Sequence, residues 1–147
     1  MHRVIKKTQE EYCMAKIADI EGIGPKSAKK LQAVGVRSTG RLLQIGADKR
    51  GRKDLAEETG ISEKLVLEWV NIADLMRVKG IGEEYSDLLE EAGVDTVKEL
   101  QHRSPENLFD ALVEINEKKA LVRRLPSSKQ VKSWITQAKK LPHVVKY

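Results

Sequence analysis

The stretch Ile20-Glu-Gly-Ile-Gly-Pro-Lys-Ser-Ala-Lys-Lys-Leu31 decides the fold, because it reads as two short helices joined by a Gly-apolar-Gly bend. Gly22 and Gly24 flank Ile23. Glycine tolerates positive φ and lets another backbone or a ligand come close. Ile23 is expected to point inward and anchor the bend. Pro25 follows at the first position of the next helix, where its missing N–H costs nothing and its fixed φ suits the helix. The chain repeats the pattern at Val78-Lys-Gly-Ile-Gly-Glu-Glu-Tyr-Ser-Asp-Leu-Leu89. Gly22, Gly24, Gly35 and Val36 correspond to Gly80, Gly82, Gly93 and Val94 at a constant offset of 58 residues. Self-similarity at one fixed offset predicts an internal duplication.

Outward from the bends, apolar residues recur at helical spacing. Glu10–Ile20 reads as the first helix of the first hairpin, with Tyr12, Met14, Ile17, Ala18 and Ile20 inward, and residues 1–9 read as a tail. Pro25–Ala33 is the second helix, ended by Gly35. Ser38 or Thr39 starts a helix carrying Leu42, Leu43 and Ile45, and Arg50–Thr59 is helical up to Gly60. Ser62 caps a long helix to about Arg77 with Leu65, Val66, Trp69, Ile72, Ala73 and Met76 on its apolar face. That helix closes the first unit and leads into the second bend, so units 1–77 and 78–147 share residues 62–77. The second unit repeats the order, with helices over Glu83–Ala92, after Asp95 as a cap, and over Asn107–Ile115 behind Ser104-Pro105. Ser127 and Gln130 predict a capping box for the last helix, which carries Val131, Trp134, Ile135 and Ala138. Ser62, Lys64, Val66, Trp69 and Ala73 correspond to Ser127, Lys129, Val131, Trp134 and Ala138 at an offset of 65, so seven extra residues are expected within Asn116–Pro126. Both tryptophans read as core. The tail Pro142–Tyr147 reads as extended and able to pair with Arg3–Ile5 as two short strands.

The two bends differ in charge. Beside the first, free N–H groups at the start of a helix form a concavity suited to a phosphate oxygen, and Lys26, Lys29 and Lys30 add full charges. In the second, Pro25, Lys26, Lys29 and Lys30 give way to Glu83, Glu84, Asp87 and Leu88. Carboxylates stabilise a helix N-terminus, but they occupy or repel the phosphate position. The second bend, with Gly80, Gly82, Glu83 and Glu84, therefore reads as structural or partner-facing.

These residues resemble the DNA-binding helix-hairpin-helix motif of repair and recombination proteins. The resemblance implies sequence-independent contact with a DNA backbone, usually from the minor-groove side. Over nearly all of residues 10–141 the chain also resembles an uncharacterised bacterial and archaeal family of unknown function with tandem helix-hairpin-helix units. That broader resemblance implies a fold and no particular activity.

Charge is segregated along the chain. Residues 22–53 hold nine Lys or Arg and one acid, residues 80–117 hold two against eleven acids, and residues 118–147 hold nine and no acid. Basic blocks attract polyanions, while the acidic block suits a basic partner or a basic part of the same chain. The basic residues 118–147 read either as phosphate contacts or as a solvated face against those acids. With aromatic residues at 4%, the core is expected to be aliphatic. No stretch approaches the roughly 20 apolar residues that cross a bilayer. The start lacks the apolar run of a secretion signal, and the single Cys13 fits a reducing compartment, so a cytoplasmic setting is expected.

Enzyme chemistry is poorly supplied. His2, His102 and His143 are scattered and far from Cys13, so no metal site is indicated. Neither a Walker loop nor a dinucleotide-binding glycine pattern is present, and no cofactor is implied. Paired acids such as Glu57-Glu58 and Glu90-Glu91 point apart on a helix. Some DNA glycosylases place a catalytic Asp after such a hairpin. Here Arg37 and Ser38 follow, and Asp48 lies in a basic turn.

Together these features predict an all-α, elongated body of two related units. The expected function is non-catalytic, sequence-independent binding of nucleic acid, duplex DNA before RNA. Phosphates would meet Gly22, Ile23, Gly24, Lys26, Ser27, Lys29 and Lys30, with Arg50, Arg52 and Lys53 extending the track. The competing expectation is a helical assembly module that binds a protein, or itself, through residues 83–117.

Overall fold

The computed structural model describes residues 15–147 except Glu21. Its described part is all-α. A 3-10 turn, Ile17–Asp19, precedes α1 (Pro25–Ala33), α2 (Thr39–Gly46), α3 (Lys49–Thr59), α4 (Glu63–Leu75), α5 (Glu83–Glu91), α6 (Val97–Gln101), α7 (Pro105–Lys119) and α8 (Ser128–Ala138).

The backbone repeats itself at the offset of 58. Ile23 N–H donates to Ile20 O, as Ile81 N–H does to Val78 O. The first intrahelical bonds run from Ala28 N–H to Gly24 O and from Ser86 N–H to Gly82 O. Both second helices end alike. Gly35 and Gly93 are left-handed at φ +87° and +85°. Val36 N–H reaches back to Leu31 O, and Val94 N–H to Leu89 O. Both valines are buried, which completes the glycine-terminated helix end.

Side-chain caps fix the other starts. Ser38, Asp48, Ser62 and Thr96 each accept the N–H three residues on, and Ser127 and Gln130 form the reciprocal box. Two caps differ from expectation. Thr96, not Asp95, caps α6; it stands 58 residues after Ser38 and has the same extended backbone. Ser104 makes no cap bond, although Pro105 opens α7 as expected.

The entry to the first bend also differs. Residues 10–14 of the expected first helix, with Tyr12 and Met14, lie outside the described residues. The described remainder is not α-helical. Lys16 bridges Ser38 in antiparallel fashion, Ile17 N–H donates to Arg37 O, and Thr39 N–H donates to Ala15 O. The loop before α2 offers this segment ready hydrogen-bond partners, and they replace a helical ladder. Ile17 and Ile20 are buried as expected, while Ala18 is exposed. Leu65, expected inward, is exposed at the start of α4.

Buried apolar residues form two clusters. The first joins Ile17, Ile20, Ile23, Leu31 and Leu42 to Val66, Trp69 and Ala73 of α4. The second begins with Leu75 at the end of α4 and runs through Leu88, Leu89, Leu100, Leu112 and Trp134. In the first part α2 packs on α4 and α3; in the second α8 packs on α7 and α6, with α5 against α7. Helix α7 has 15 residues against 11 in α3, and its last turn, 116–119, falls within the segment expected to hold the extra residues. Both helices end in a left-handed residue, Gly60 and Ala120. The loop after α7 is closed by Asn116, which exchanges two bonds with the backbone of Val122.

The C-terminal tail forms no strand, and Arg3–Ile5 lie outside the described residues. Instead the tail crosses to the first part. Val144 and Val145 pack on the first cluster, and Lys146 N–H donates to Ala47 O.

Candidate functional site

The start of α1 combines an open helix end with three free-standing cations. Gly24, its N-cap, is extended at φ −60° and ψ 166° and has no side chain to cap with. Lys26 and Ser27 precede the first residue whose N–H finds an intrahelical carbonyl, Ala28. Their own amides therefore have no acceptor within the helix. The first turn contains no acid. Among the described α-helices α1 alone lacks both a side-chain cap bond and an acidic residue in its first turn. A Cβ built on Gly24 would meet nothing within 4 Å. Neither its φ nor the packing of the chain requires glycine there.

Lys26, Lys29 and Lys30 are all exposed, and Ser27 is half-buried. Their spacing of three and four residues makes the lysines neighbours on the helix surface. An open groove of about 500 Å³ runs beside them, lined by Ala18, Ile23, Pro25, Ala28 and Lys29 among others. Ile23 itself is buried, as an anchor should be.

Two of the amides expected to cup an anion are already engaged. Ile23 N–H donates to Ile20 O at 3.0 Å. Gly22 N–H donates to the Glu83 carboxylate at 2.7 Å, so the acidic bend reaches across to the basic one. A Cβ on Gly22 would stand 3.2 Å from that oxygen. The candidate anion site therefore moves along the chain, from Gly22 and Ile23 to the amides of Lys26 and Ser27.

The proposed cationic track divides. Arg50 and Lys53 are exposed on α3. Arg52 is 5% exposed, and its guanidinium donates to Gly46 O at 2.8 Å, Ala47 O at 3.2 Å and Lys146 O at 2.8 Å. It clips the C-terminal tail onto the α2–α3 corner and offers no charge to a ligand. Helix α3 packs on α2 and α4, whereas α1 packs on the 3-10 turn. The structure brings the α1 lysines together but does not join the α3 cations to them.

The second bend is held from behind. Gly80 has φ +99°, and a Cβ there would come within 3.0 Å of Trp134 Nε1. Gln137 accepts from Lys79 N–H and donates to Lys79 O. Tyr85 tilts against Trp134 and donates its hydroxyl hydrogen to Arg124 O. Glu84 is exposed and Glu83 half-buried, and Gly82 caps α5 without a side chain. Next to them the pKa of Asp87 is raised from its ordinary value, first because it is partly buried and then because Glu83 and Glu84 repel its charge. Burial, followed by Glu68, Asp87, Asp95 and Glu91, raises Glu90 in the same way. In the C-terminal basic block, Lys119 pairs with Glu91 and Lys118 with Glu114, while Lys129, Lys132, Lys139 and Lys140 face solvent.

Several of these contacts had no signal in the sequence. Arg52 looked like its neighbours Arg50 and Lys53; only its burial beneath the returning tail separates them. Glu83 was visible as a carboxylate at a helix start, but its partner lies 61 residues away. No group of His, Cys, Asp and Glu able to hold a metal occurs among the described residues. No described helix is long and apolar enough to cross a membrane.

A family model described as "Domain of unknown function (DUF4332)" matches residues 21–141. No curated protein and no solved structure matches the chain.

Proposed function

The chain belongs to that family, and from this premise we propose that it binds nucleic-acid phosphates, duplex DNA foremost, through the start of α1 and without catalysis. On this view the two Gly-Ile-Gly bends are helix-hairpin-helix units, of which only the first meets the ligand. The observation that carries the proposal is the uncapped, acid-free start of α1 beneath three exposed lysines. One phosphate oxygen takes the amide hydrogens of Lys26 and Ser27, where the helix dipole adds to the attraction. The ammonium groups of Lys26, Lys29 and Lys30 neutralise the neighbouring phosphates. The bare Gly24 lets the sugar-phosphate chain approach the backbone. None of these contacts reads a base edge, so binding is independent of sequence.

The test is titration of a labelled duplex at several salt concentrations. The wild type should lose affinity with a log–log slope of about −0.9 per phosphate neutralised. Lys26→Ala with Lys29→Ala should weaken binding equally across sequences. An affinity unchanged by this pair would remove α1 from consideration.

One observation favours a second role. Acids crowd Asp87 and Glu90 on the α5 surface, and partial burial, followed by repulsion from these neighbours, raises both pKa values. A basic protein surface would relieve that repulsion. Sedimentation with and without DNA separates the roles, since self-association without DNA binding belongs to assembly.

A further inference from the structure

We infer that Glu83 is an internal competitor for the anion at the first bend, an autoinhibitory carboxylate that holds the Gly22 amide, so that phosphates reach only the α1 amides until it is displaced. This inference rests on the proposed phosphate binding at α1. The Glu83 carboxylate lies 2.7 Å from the Gly22 nitrogen, four residues before Lys26, and approaches where glycine leaves the backbone bare. A carboxylate oxygen and a phosphate oxygen make the same demand on an amide hydrogen, so Glu83 fills part of the seat that the bend offers an anion. It also sets a unit negative charge at Gly22, on the bend that leads into α1.

The contact can open. Glu83 occupies the first turn of α5 and is only half-buried, so solvent reaches the contact while the helix stays formed. Glu83 and Glu84 also repel the charge of Asp87, which after burial is what raises that carboxyl. A polyanion that arrives at α1 adds to that repulsion, while the lysines hold it in place. The acidic bend thereby sets a threshold: isolated anions meet an occupied amide, whereas a backbone with several phosphates outcompetes the single carboxylate through the lysines.

The experiment compares the full chain with Glu83→Ala and Glu83→Gln, and adds the Lys26→Ala/Lys29→Ala pair to each. Duplex affinity is read by fluorescence anisotropy at two salt concentrations, and the Gly22 amide by NMR. Removing one charge from the bend that leads into the phosphate seat, about 4–8 Å away in a water-like medium, should tighten binding about two- to fivefold. Glu83→Gln keeps an acceptor for Gly22 and guards against loss of the fold; it should also bind more tightly, by a smaller factor. The Gly22 amide should move in the same direction in Glu83→Ala as it does when duplex is added to the wild type. If the lysine pair weakens binding but both Glu83 variants bind no tighter than the wild type, the carboxylate is a strut between the bends and the inference is overturned alone. If the lysine pair changes nothing, phosphate binding at α1 falls, and the inference with it.

Discussion

Replacing Arg52 by alanine separates a structural cation from the exposed ones on either side of it. Its guanidinium makes three hydrogen bonds to carbonyls, of which the bond to Gly46 O is buried and those to Ala47 O and Lys146 O are half-buried. Hydrogen bonds to charged groups contribute roughly 1.5–3 kcal/mol each. The half-buried carbonyls regain water when the guanidinium goes, so the sum of three is not lost in full. A cost of about 3 kcal/mol follows. At this chain length each kcal/mol moves Tm by roughly 2–4 °C, giving a fall of about 6–12 °C. Arg50→Ala and Lys53→Ala, at exposed positions, should stay within about 0.5 kcal/mol of the wild type. Urea and thermal unfolding, followed by circular dichroism and by the emission of the buried Trp69 and Trp134, measure all three. Removing residues 143–147 should cost a similar amount, and combining that truncation with Arg52→Ala should cost much less than the sum, because the two share one contact. An Arg52→Ala variant as stable as Arg50→Ala would refute the clip, and additive losses would show that Arg52 and the tail act separately.

Other outcomes follow from the same geometry. Gly80→Ala should destabilise by about 1–3 kcal/mol, since it combines positive φ with a close approach to Trp134 Nε1; Gly24→Ala, at an N-cap of ordinary φ with open space around it, should cost less, about 0.5–1 kcal/mol, and urea midpoints compare the two. Gly24→Ala should nonetheless weaken duplex binding, because a methyl group then stands over the start of α1; unchanged binding would mean that no ligand comes close there. Lys26→Ala with Lys29→Ala should reduce the magnitude of the log–log salt slope by about 1.8, two phosphates' worth, in anisotropy titrations. The raised carboxylates set a pH dependence. Asp87 and Glu90 hold folded pKa values above their unfolded ones, so their ionisation opposes folding above those values. That penalty fades as pH falls through the raised values into the ordinary carboxylate range. Asp87→Asn and Glu90→Gln should therefore stabilise the protein near neutral pH, by less than about 1 kcal/mol at such partly exposed sites. The gain should vanish toward pH 4 in unfolding curves; a gain independent of pH would contradict the repulsion.

Local patterns carried much of the fold into the sequence. Gly35, Gly60 and Gly93 mark left-handed helix ends because no other residue takes that backbone as cheaply, and the Ser127–Gln130 box is written at a spacing of three. The all-α class follows from these punctuation marks and from the spacing of Leu, Ile and Val. Contacts made across the chain were not legible. Arg52, Gln137 and Glu83 each act on backbone at least five residues distant, and no local preference reports such a partner. The start of the first bend departs from its sequence pattern for a related reason. Residues 15–16 have apolar neighbours suited to a helix, yet the backbone of residues 37–39 claims their hydrogen bonds. At the candidate site the lysines were legible as charges, but the engagement of the Gly22 amide was not.

Two amide hydrogens at the start of α1, those of Lys26 and Ser27, carry the proposed phosphate contact. An NMR titration of the ¹⁵N-labelled full chain with a short duplex at low salt addresses them directly. The amide signals of Lys26 and Ser27 should shift first and furthest, and added salt should return them to their starting positions. Shifts confined to α8 or to the acidic surface of α5, with Lys26 and Ser27 unmoved, would contradict the account.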